Sequence, residues 1–369
     1  MNTILFGDRS RWDHAVQLVM SKHPEVVIIG LCDPLDEELA TTSDAVITVD
    51  EVIHSYRSGQ IDAVITVDGS IPEWNEYLHQ NGVDRNFAIQ TKYYRMSEEK
   101  LEKEERVFSP YGSIPPELQH LEFHLADHCN LKCKGCTHFS NLVKEPVFAD
   151  MGQYKKDIRR LSELFDNIKE IHLMGGEPLL NPDVEEYIRI TREIFPYAEI
   201  AIATNGLLIM TMKQSFFDTI LETDTMISIS DYTCLDEGKI LTYLSQHGIR
   251  KCELRNGKQV FAKNLNPAAD EDPGTIFAQC PRRVCTFLGK GSIAACVQPF
   301  VIHYFNEYFE QNFSEGGTIS LYEDMDGHAI LKKLSKPMEA CRYCTYEESF
   351  SWNVSGDPVP MSDWCVEKA

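Results

Sequence analysis

His128-Cys129-Asn130-Leu131-Lys132-Cys133-Lys134-Gly135-Cys136 places three thiols at a CxxxCxxC spacing. Cysteine thiolates ligate iron-sulfur clusters and zinc alike, and a structural zinc normally closes all of its coordination positions. Three cysteines on one short loop can hold three irons of a cubane and leave the fourth open, which implies chemistry rather than structure alone. Zinc, or a buried thiol cluster, is the plainer reading of the triplet by itself. The downstream residues decide between them.

The strand-like Lys169-Glu-Ile-His-Leu-Met174 runs into Gly175-Gly176-Glu177-Pro178. A glycine pair lets the backbone approach a bound cofactor closely, and a carboxylate beside it can accept hydrogen bonds from an ammonium group. Ile200-Ala-Ile-Ala-Thr204-Asn205-Gly206 is an apolar strand ending in a polar turn, and Met226-Ile-Ser228-Ile-Ser230-Asp231 repeats that pattern. Taken together and in this order, these segments resemble the radical S-adenosylmethionine superfamily, with its GGEP loop and TNG segment.

The resemblance implies that Cys129, Cys133 and Cys136 hold a [4Fe-4S] cluster whose fourth ligand is the amino and carboxylate groups of S-adenosyl-L-methionine. It also sets Gly175, Gly176, Glu177, Pro178, Thr204, Asn205, Ser228 and Ser230 around that cofactor. One position departs from the family, which often carries an aromatic residue before the third cysteine where this chain has Gly135. The adenine contact must then come from elsewhere, with Phe139 and His138 nearest.

The chain has 369 residues, 43% of them hydrophobic, enough for two or three compact domains. Lys and Arg number 35 against 57 acidic residues, a net charge of -22. That balance disfavours a polyphosphate backbone as partner, so nucleic acid is not expected. No basic start leads into an apolar run, and no stretch is apolar enough to cross a bilayer. A soluble, cytoplasmic protein with no membrane partner is expected. Twelve cysteines in metal-type spacings then imply reducing, oxygen-poor conditions.

Residues 1–95 alternate apolar runs with amphipathic segments. Thr3–Gly7, Glu25–Cys32, Asp44–Val49, Asp62–Val67 and Phe87–Thr91 read as strands, with Trp12–Lys22 a helix between the first two. This predicts a Rossmann-like parallel α/β domain. Its first turn, Gly7-Asp-Arg-Ser-Arg11, lacks GxGxxG, so the dinucleotide signal is weak. Asp33 sits where a ribose-binding acid would, but it is equally an ordinary strand-ending residue. A docking or substrate-positioning role is favoured over nucleotide binding.

Residues 96–117 read as a linker, its charged stretch 97–106 as a solvated helix, with Pro110, Pro115 and Pro116 marking the boundary. Residues 118–275 form a second α/β series. Its strands are His120–Ala126, Glu170–Met174, Glu199–Ala203, Thr225–Ser230 and Arg250–Leu254, and its helices are Met151–Ile168, Pro182–Phe195, Thr211–Leu221 and Glu237–His247. Crossover helices between parallel strands close toward a barrel with reactive loops at the strands' carboxyl ends. The resemblance implies a partial (β/α)6 barrel.

In residues 276–369 the pattern changes. Cys280, Cys285 and Cys296 are followed by Cys341-Arg-Tyr-Cys344. A CxxC pair closing a site opened by distant cysteines is chemically coherent, although the spacing alone fits a four-cysteine zinc site as well. The order is similar to the twitch or SPASM-like auxiliary cluster module, with Cys280, Gly291, Cys296, Cys341 and Cys344 in its places and Cys285 a rival to Cys280. The resemblance implies a second [4Fe-4S] cluster here. Cys365 reads as a bystander, and the aromatic stretch 300–310 as core packing.

The resemblance further implies reductive cleavage of S-adenosylmethionine to a 5'-deoxyadenosyl radical, with electrons from a donor such as flavodoxin or ferredoxin. The leading expectation is a radical SAM oxidoreductase of dehydrogenase type, oxidising an alcohol to a carbonyl on a small, carbohydrate-type or nucleotide-linked substrate. An epimerase would use a thiol donor such as Cys234, though a lone cysteine after a strand is more often packed. A ribosomal-peptide or sulfatase maturase is another alternative, and an iron-sulfur or zinc regulator is the non-enzymatic one. Asp231, Tyr232 and Arg255 are candidate substrate contacts by their places after strands.

Overall fold

The computed structural model describes residues 1–34, 45–67, 72–97, 100–108, 116–232, 235–255, 260–345 and 348–366. The chain divides into two compact units, Met1–Pro115 and Pro116–Ala369.

In the first unit, β1 (Asn2–Phe6), α1 (Trp12–Lys22), β2 (Val27–Cys32), α2 (Val49–Arg57), β3 (Ala63–Thr66), α3 (Pro72–Gln80), β4 (Asn86–Ser97) and β5 (Lys100–Phe108) follow in order. They make a five-stranded sheet, β2-β1-β3-β4-β5, parallel except for its last pair. Helix α1 buries Ala15, Leu18 and Val19, residues that recur on one helical face. Helix α2 starts on a capping box between Thr48 and Glu51.

Two expectations are corrected. From residue 45 onward, the predicted strand Asp44–Val49 is only a bridge between Val46 and Leu31, because the Thr48 cap turns the chain into α2. From residue 100 onward, the charged stretch read as a linker helix is β5, paired antiparallel with β4, while residues 98 and 99 lie outside the described ones. In that register Lys92 lies opposite Glu104 and Tyr93 opposite Lys103, and cross-strand pairing overrides the helix propensity of a Glu- and Lys-rich segment.

The second unit runs β6 (Glu117–Ala126), α4 (Met151–Leu164), β7 (Asn167–Gly175), α5 (Val184–Ile194), β8 (Glu199–Thr204), α6 (Gln214–Glu222), β9 (Met226–Ser230), α7 (Glu237–Gln246) and β10 (Cys252–Arg255). It continues with β11 (Val260–Ala262), α8 (Pro273–Gln279), β12 (Phe287–Gly289), β13 (Ser292–Ala294), α9 (Gln298–Phe309), β14 (Ile319–Ser320), α10 (Gly327–Leu334) and β15 (Ser349–Ser351). Strands β10-β9-β8-β7-β6-β12 form a continuous parallel run, extended antiparallel by β13 and β14. The parallel strand beyond the five predicted is therefore β12, from the cysteine-rich region, on the β6 edge.

The segment 276–369 is thus no separate body. Buried Asp157 on α4 accepts hydrogen bonds from the Gly291 amide (2.9 Å) and the Tyr322 hydroxyl (2.7 Å), tying the two parts together. Lys290 and Gly291 both have positive φ, the backbone a tight β12–β13 hairpin demands.

Side chains alternate across the parallel strands. Leu121, Phe123, Leu125, Ile171, Leu173, Ile200, Ile202, Ile227 and Ile229 join the core under the helices. Their neighbours His120, Glu122, His124, His172, Ser228, Ser230, Glu253 and Arg255 fall on the other face. A second core gathers Phe139, Phe287, Val301, Ile302, Phe305 and Trp364, so the aromatic helix α9 serves packing as expected.

Candidate functional site

A cavity of about 570 Å³ opens at the carboxyl ends of the parallel strands, and Cys129, Cys133 and Cys136 all line it. Three N–H groups approach the sulfurs. Leu131 N donates to Cys129 Sγ (3.3 Å), Asn205 Nδ2 lies 3.7 Å from the same sulfur, and Trp352 Nε1 donates to Cys133 Sγ (3.2 Å). Burial pushes the Cys129 thiol up to about 12, and Glu177, Cys136 and Cys133 add to the rise. Crowded sulfurs supplied with N–H donors suit thiolates that bind a positively charged metal centre.

The glycine pair packs protein on protein. A Cβ on Gly175 would lie 2.1 Å from the Ala126 carbonyl oxygen, and one on Gly176 would lie 2.3 Å from that of His128. Their bareness lets the end of β7 rest on the backbone leading into the cysteine loop. Glu177 is fully buried and accepts from Thr204 Oγ1 (2.7 Å), Asn205 N (2.9 Å) and Leu179 N (3.1 Å). Burial raises its pKa to about 7 against those three bonds. Glu177 ties the GGEP turn to the TNG turn, and buried Pro178 continues the same turn. Asn205 then reaches Asn130 in the cysteine loop through a 2.7 Å hydrogen bond.

Of the other expected residues, Gly175, Gly176, Thr204, Asn205, Ser230, Tyr232 and Arg255 line the cavity. Ser228 does not, since its hydroxyl is buried and donates to Glu253 (3.4 Å). Asp231 is also absent from the lining, and Cys234 lies outside the described residues. Phe139 is 1% exposed and packs on Phe305 and Trp364, leaving His138 and Thr137 to face the cavity.

The segment 348–366 is the part of the site that sequence reasoning missed. Lys134 N donates to Asn353 O, Ser355 N to Lys132 O, and Trp364 Nε1 to Cys136 O, each at 2.8 Å. A Cβ on Gly135 would meet Phe350 at 2.8 Å and the Asp363 carbonyl at 2.9 Å. The residue before the third cysteine is bare because the tail's own aromatic ring occupies that space. Tyr232 stacks on Trp352, with ring centroids 5.8 Å apart and planes at 18°. The cue was an aromatic-rich tail following the final CxxC.

A second set of thiols converges nearby. Burial drives up the pKa values of Cys296, Cys341 and Cys344, and within the set of Cys280, Cys296, Cys341 and Cys344 every pair is close enough to add to the effect. Cys285 is pushed up to about 12 by burial and then by Glu122, and Cys296 adds to the rise. Gln298, opening α9, gives its amide to Cys296 Sγ (3.4 Å) and accepts from Cys344 Sγ (3.1 Å). Cys280 and Cys285 thus both neighbour Cys296, with Cys341 and Cys344 alongside it. Cys365 is buried in the second core beside Lys263. Cys285 and Cys296 line the same cavity as the triplet.

In the first unit, the turn after β1 packs on its own side chains. A Cβ on Gly7 would meet Val67 at 2.7 Å and the Trp74 ring at 2.8 Å, and Trp12 Nε1 donates to the Gly7 carbonyl (2.9 Å). Asp33 is buried and accepts from Arg9 N (3.0 Å), so its carboxylate organises the first turn.

Residues 124–249, spanning β6 to the end of α7, match the family model of the radical SAM superfamily. The chain carries a radical SAM domain. The chain is 36% identical to molybdenum cofactor biosynthesis protein 1 of Dictyostelium discoideum, across 92 residues that make 24% of this chain and 14% of that one. It is 31% identical to GTP 3',8-cyclase of Syntrophomonas wolfei across 100 residues, 26% of this chain and 30% of the relative. The chain thus spans less than a third of the length of either curated relative. Among solved structures, BtrN in complex with AdoMet and 2-DOIA aligns with a TM-score of 0.38 at 17% identity, covering 62% of this chain and 94% of BtrN. Among the described residues no helix is long and apolar enough to cross a membrane.

Proposed function

We propose that this chain is a radical SAM oxidoreductase that converts an alcohol carbon of a small, hydroxylated substrate to a carbonyl. The observation that carries the reading is the single cavity bordered by the cysteine triplet at one side and by Cys296, a member of the second thiol set, at another. Its volume suits a small molecule beside a cofactor.

Cys129, Cys133 and Cys136 would hold the cluster that binds S-adenosylmethionine, and Cys280, Cys296, Cys341 and Cys344 an auxiliary [4Fe-4S] cluster of twitch or SPASM-like type. When bound, these groups supply a hydrogen-abstracting 5'-deoxyadenosyl radical and a sink for one electron. The net change in the substrate is loss of one hydrogen atom, then of one proton and one electron, leaving a carbonyl. The protein's part is positioning and exclusion of water. Thr204, Asn205 and Ser230 border the cofactor side, while Tyr232 and Phe261 wall the cavity with aromatic surface. Arg255, its Nε 3.0 Å from Glu253, presents a guanidinium for substrate oxygens. External electrons would come from a flavodoxin- or ferredoxin-type donor.

The test is anaerobic reconstitution with iron and sulfide, followed by dithionite-driven turnover with polyhydroxylated substrates. The reading expects about eight irons per chain and one 5'-deoxyadenosine for each carbonyl formed. Solvent deuterium appearing at carbon without oxidation would establish epimerisation instead.

A further inference from the structure

Beneath the proposed cofactor site, β6, β7 and the approach to β12 bring together ligand-type groups outside the two thiol sets. His120 Nε2 lies 3.3 Å from Glu122 Oε1, and His120 Nδ1 lies 3.3 Å from Glu170 Oε2. His120, Glu122 and Cys285 each offer a ligand atom within 4.8 Å of the others. Backbone pairing places the cysteine there, since Glu122 N donates to Thr286 O (2.7 Å) and Glu122 lies opposite Phe287 in the β6–β12 register.

We propose that His120 Nε2, Glu122 and Cys285 bind a divalent transition metal of the zinc class at the edge of the cavity. Imidazole, carboxylate and thiolate are all zinc ligands, and a three-residue set leaves a coordination position open. Glu122 and Cys285 line the cavity, so the open position faces the space where a substrate oxygen would sit. Glu170 is the positioning residue. Its carboxylate holds His120 Nδ1 and so directs Nε2 toward the metal, the carboxylate–histidine–metal arrangement of many zinc sites. His172 stacks edge-on against His120 with centroids 4.4 Å apart, and supports the ring without belonging to the set.

The metal site deepens the proposed function but is tested apart from it. The full chain, its clusters reconstituted anaerobically, is equilibrated with Zn²⁺ alone and desalted, and zinc and iron are counted separately while zinc-edge X-ray absorption reads the ligands. The expected result is one zinc per chain with a single sulfur neighbour. In Cys285→Ser or Glu122→Gln retention falls about tenfold or more, in Glu170→Gln about tenfold, and in His172→Gln it is unchanged. The proposal is overturned if the loaded wild type retains no zinc, if Cys285→Ser retains it equally, or if His172→Gln loses it. It is also overturned if Cys285→Ser loses about four irons, which would make that thiol an auxiliary-cluster ligand and leave the radical reading intact. Zinc held by its sulfur in a protein that cleaves no S-adenosylmethionine would support the metal site and remove the proposed function.

Discussion

Two strand ends in this molecule look alike as sequence and behave differently as structure. Just after β1 and at the last residue of β7 the chain meets a glycine with strongly positive φ, +134° at Gly7 and +143° at Gly175. At Gly7 the missing Cβ makes room for side chains of the same unit, Val67 and Trp74. At Gly175 and Gly176 it makes room for the backbone of Ala126 and His128. The first arrangement packs the turn against side chains of its own unit. The second lowers one loop onto another and leaves a cavity rimmed by thiols. A glycine after a strand therefore predicts close approach, and what approaches must be read from the fold.

The largest expected effect removes the reactive edge. Replacing Cys129, Cys133 and Cys136 with Ala should lower the iron of the reconstituted chain from about eight to about four and abolish 5'-deoxyadenosine formation. Iron analysis and product chromatography check both. Iron that stays at the higher figure would place both clusters elsewhere and dissolve the contrast between the two strand ends.

The glycines test that contrast directly. Gly175→Ala forces a methyl to 2.1 Å from the Ala126 carbonyl oxygen, which cannot rotate away, and should cost about 3 kcal/mol or more together with loss of triplet iron. Gly7→Ala meets the side chains of Val67 and Trp74 at 2.7 and 2.8 Å, and packing strain there should cost about 1–3 kcal/mol with the iron unchanged. Chemical denaturation and iron content measure the pair. Equal iron loss in both would show that the glycine's conformation, and not what it touches, governs the site. Smaller again is Glu177→Gln. A buried carboxylate that accepts three donors would become an amide with one acceptor, so about 1–3 kcal/mol of stability should be lost while the cysteine ligands remain.

Much of this was legible along the chain, because local periodicity and motif order report on neighbours in sequence. The helix Trp12–Lys22 has the predicted bounds, and the five strands β6 to β10 fall where alternating apolar runs placed them. Long-range pairing was not legible. β5 is a strand only because β4 lies beside it, and its Glu- and Lys-rich sequence favours a helix in isolation. β12 joins the parallel sheet at β6 across more than a hundred and fifty residues, carrying Cys285 toward Glu122. Phe139 is near the triplet in sequence yet turns into the second core, while Trp352, distant in sequence, reaches Cys133. Proximity along the chain misled at the aromatic contact for the same reason that it succeeded for the cysteines, whose loop is short enough to act alone.

Trp352→Phe offers the finest test of how the tail serves the site. Its indole N–H donates to Cys133 Sγ at 3.2 Å, and phenylalanine keeps aromatic surface for the stack with Tyr232 while losing that donor. Reduction adds negative charge to a thiolate-ligated cluster, so a donor to sulfur stabilises the reduced state more than the oxidised one. Removing it should make the triplet cluster's midpoint potential more negative and slow S-adenosylmethionine cleavage under a mild reductant, with the iron count unchanged. A redox titration followed by electron paramagnetic resonance reads the shift. An unchanged potential would reduce Trp352 to a packing residue, and the tail to a clamp on the backbone of Lys132, Lys134 and Cys136. A more negative potential with full iron would make the tail an electronic part of the site.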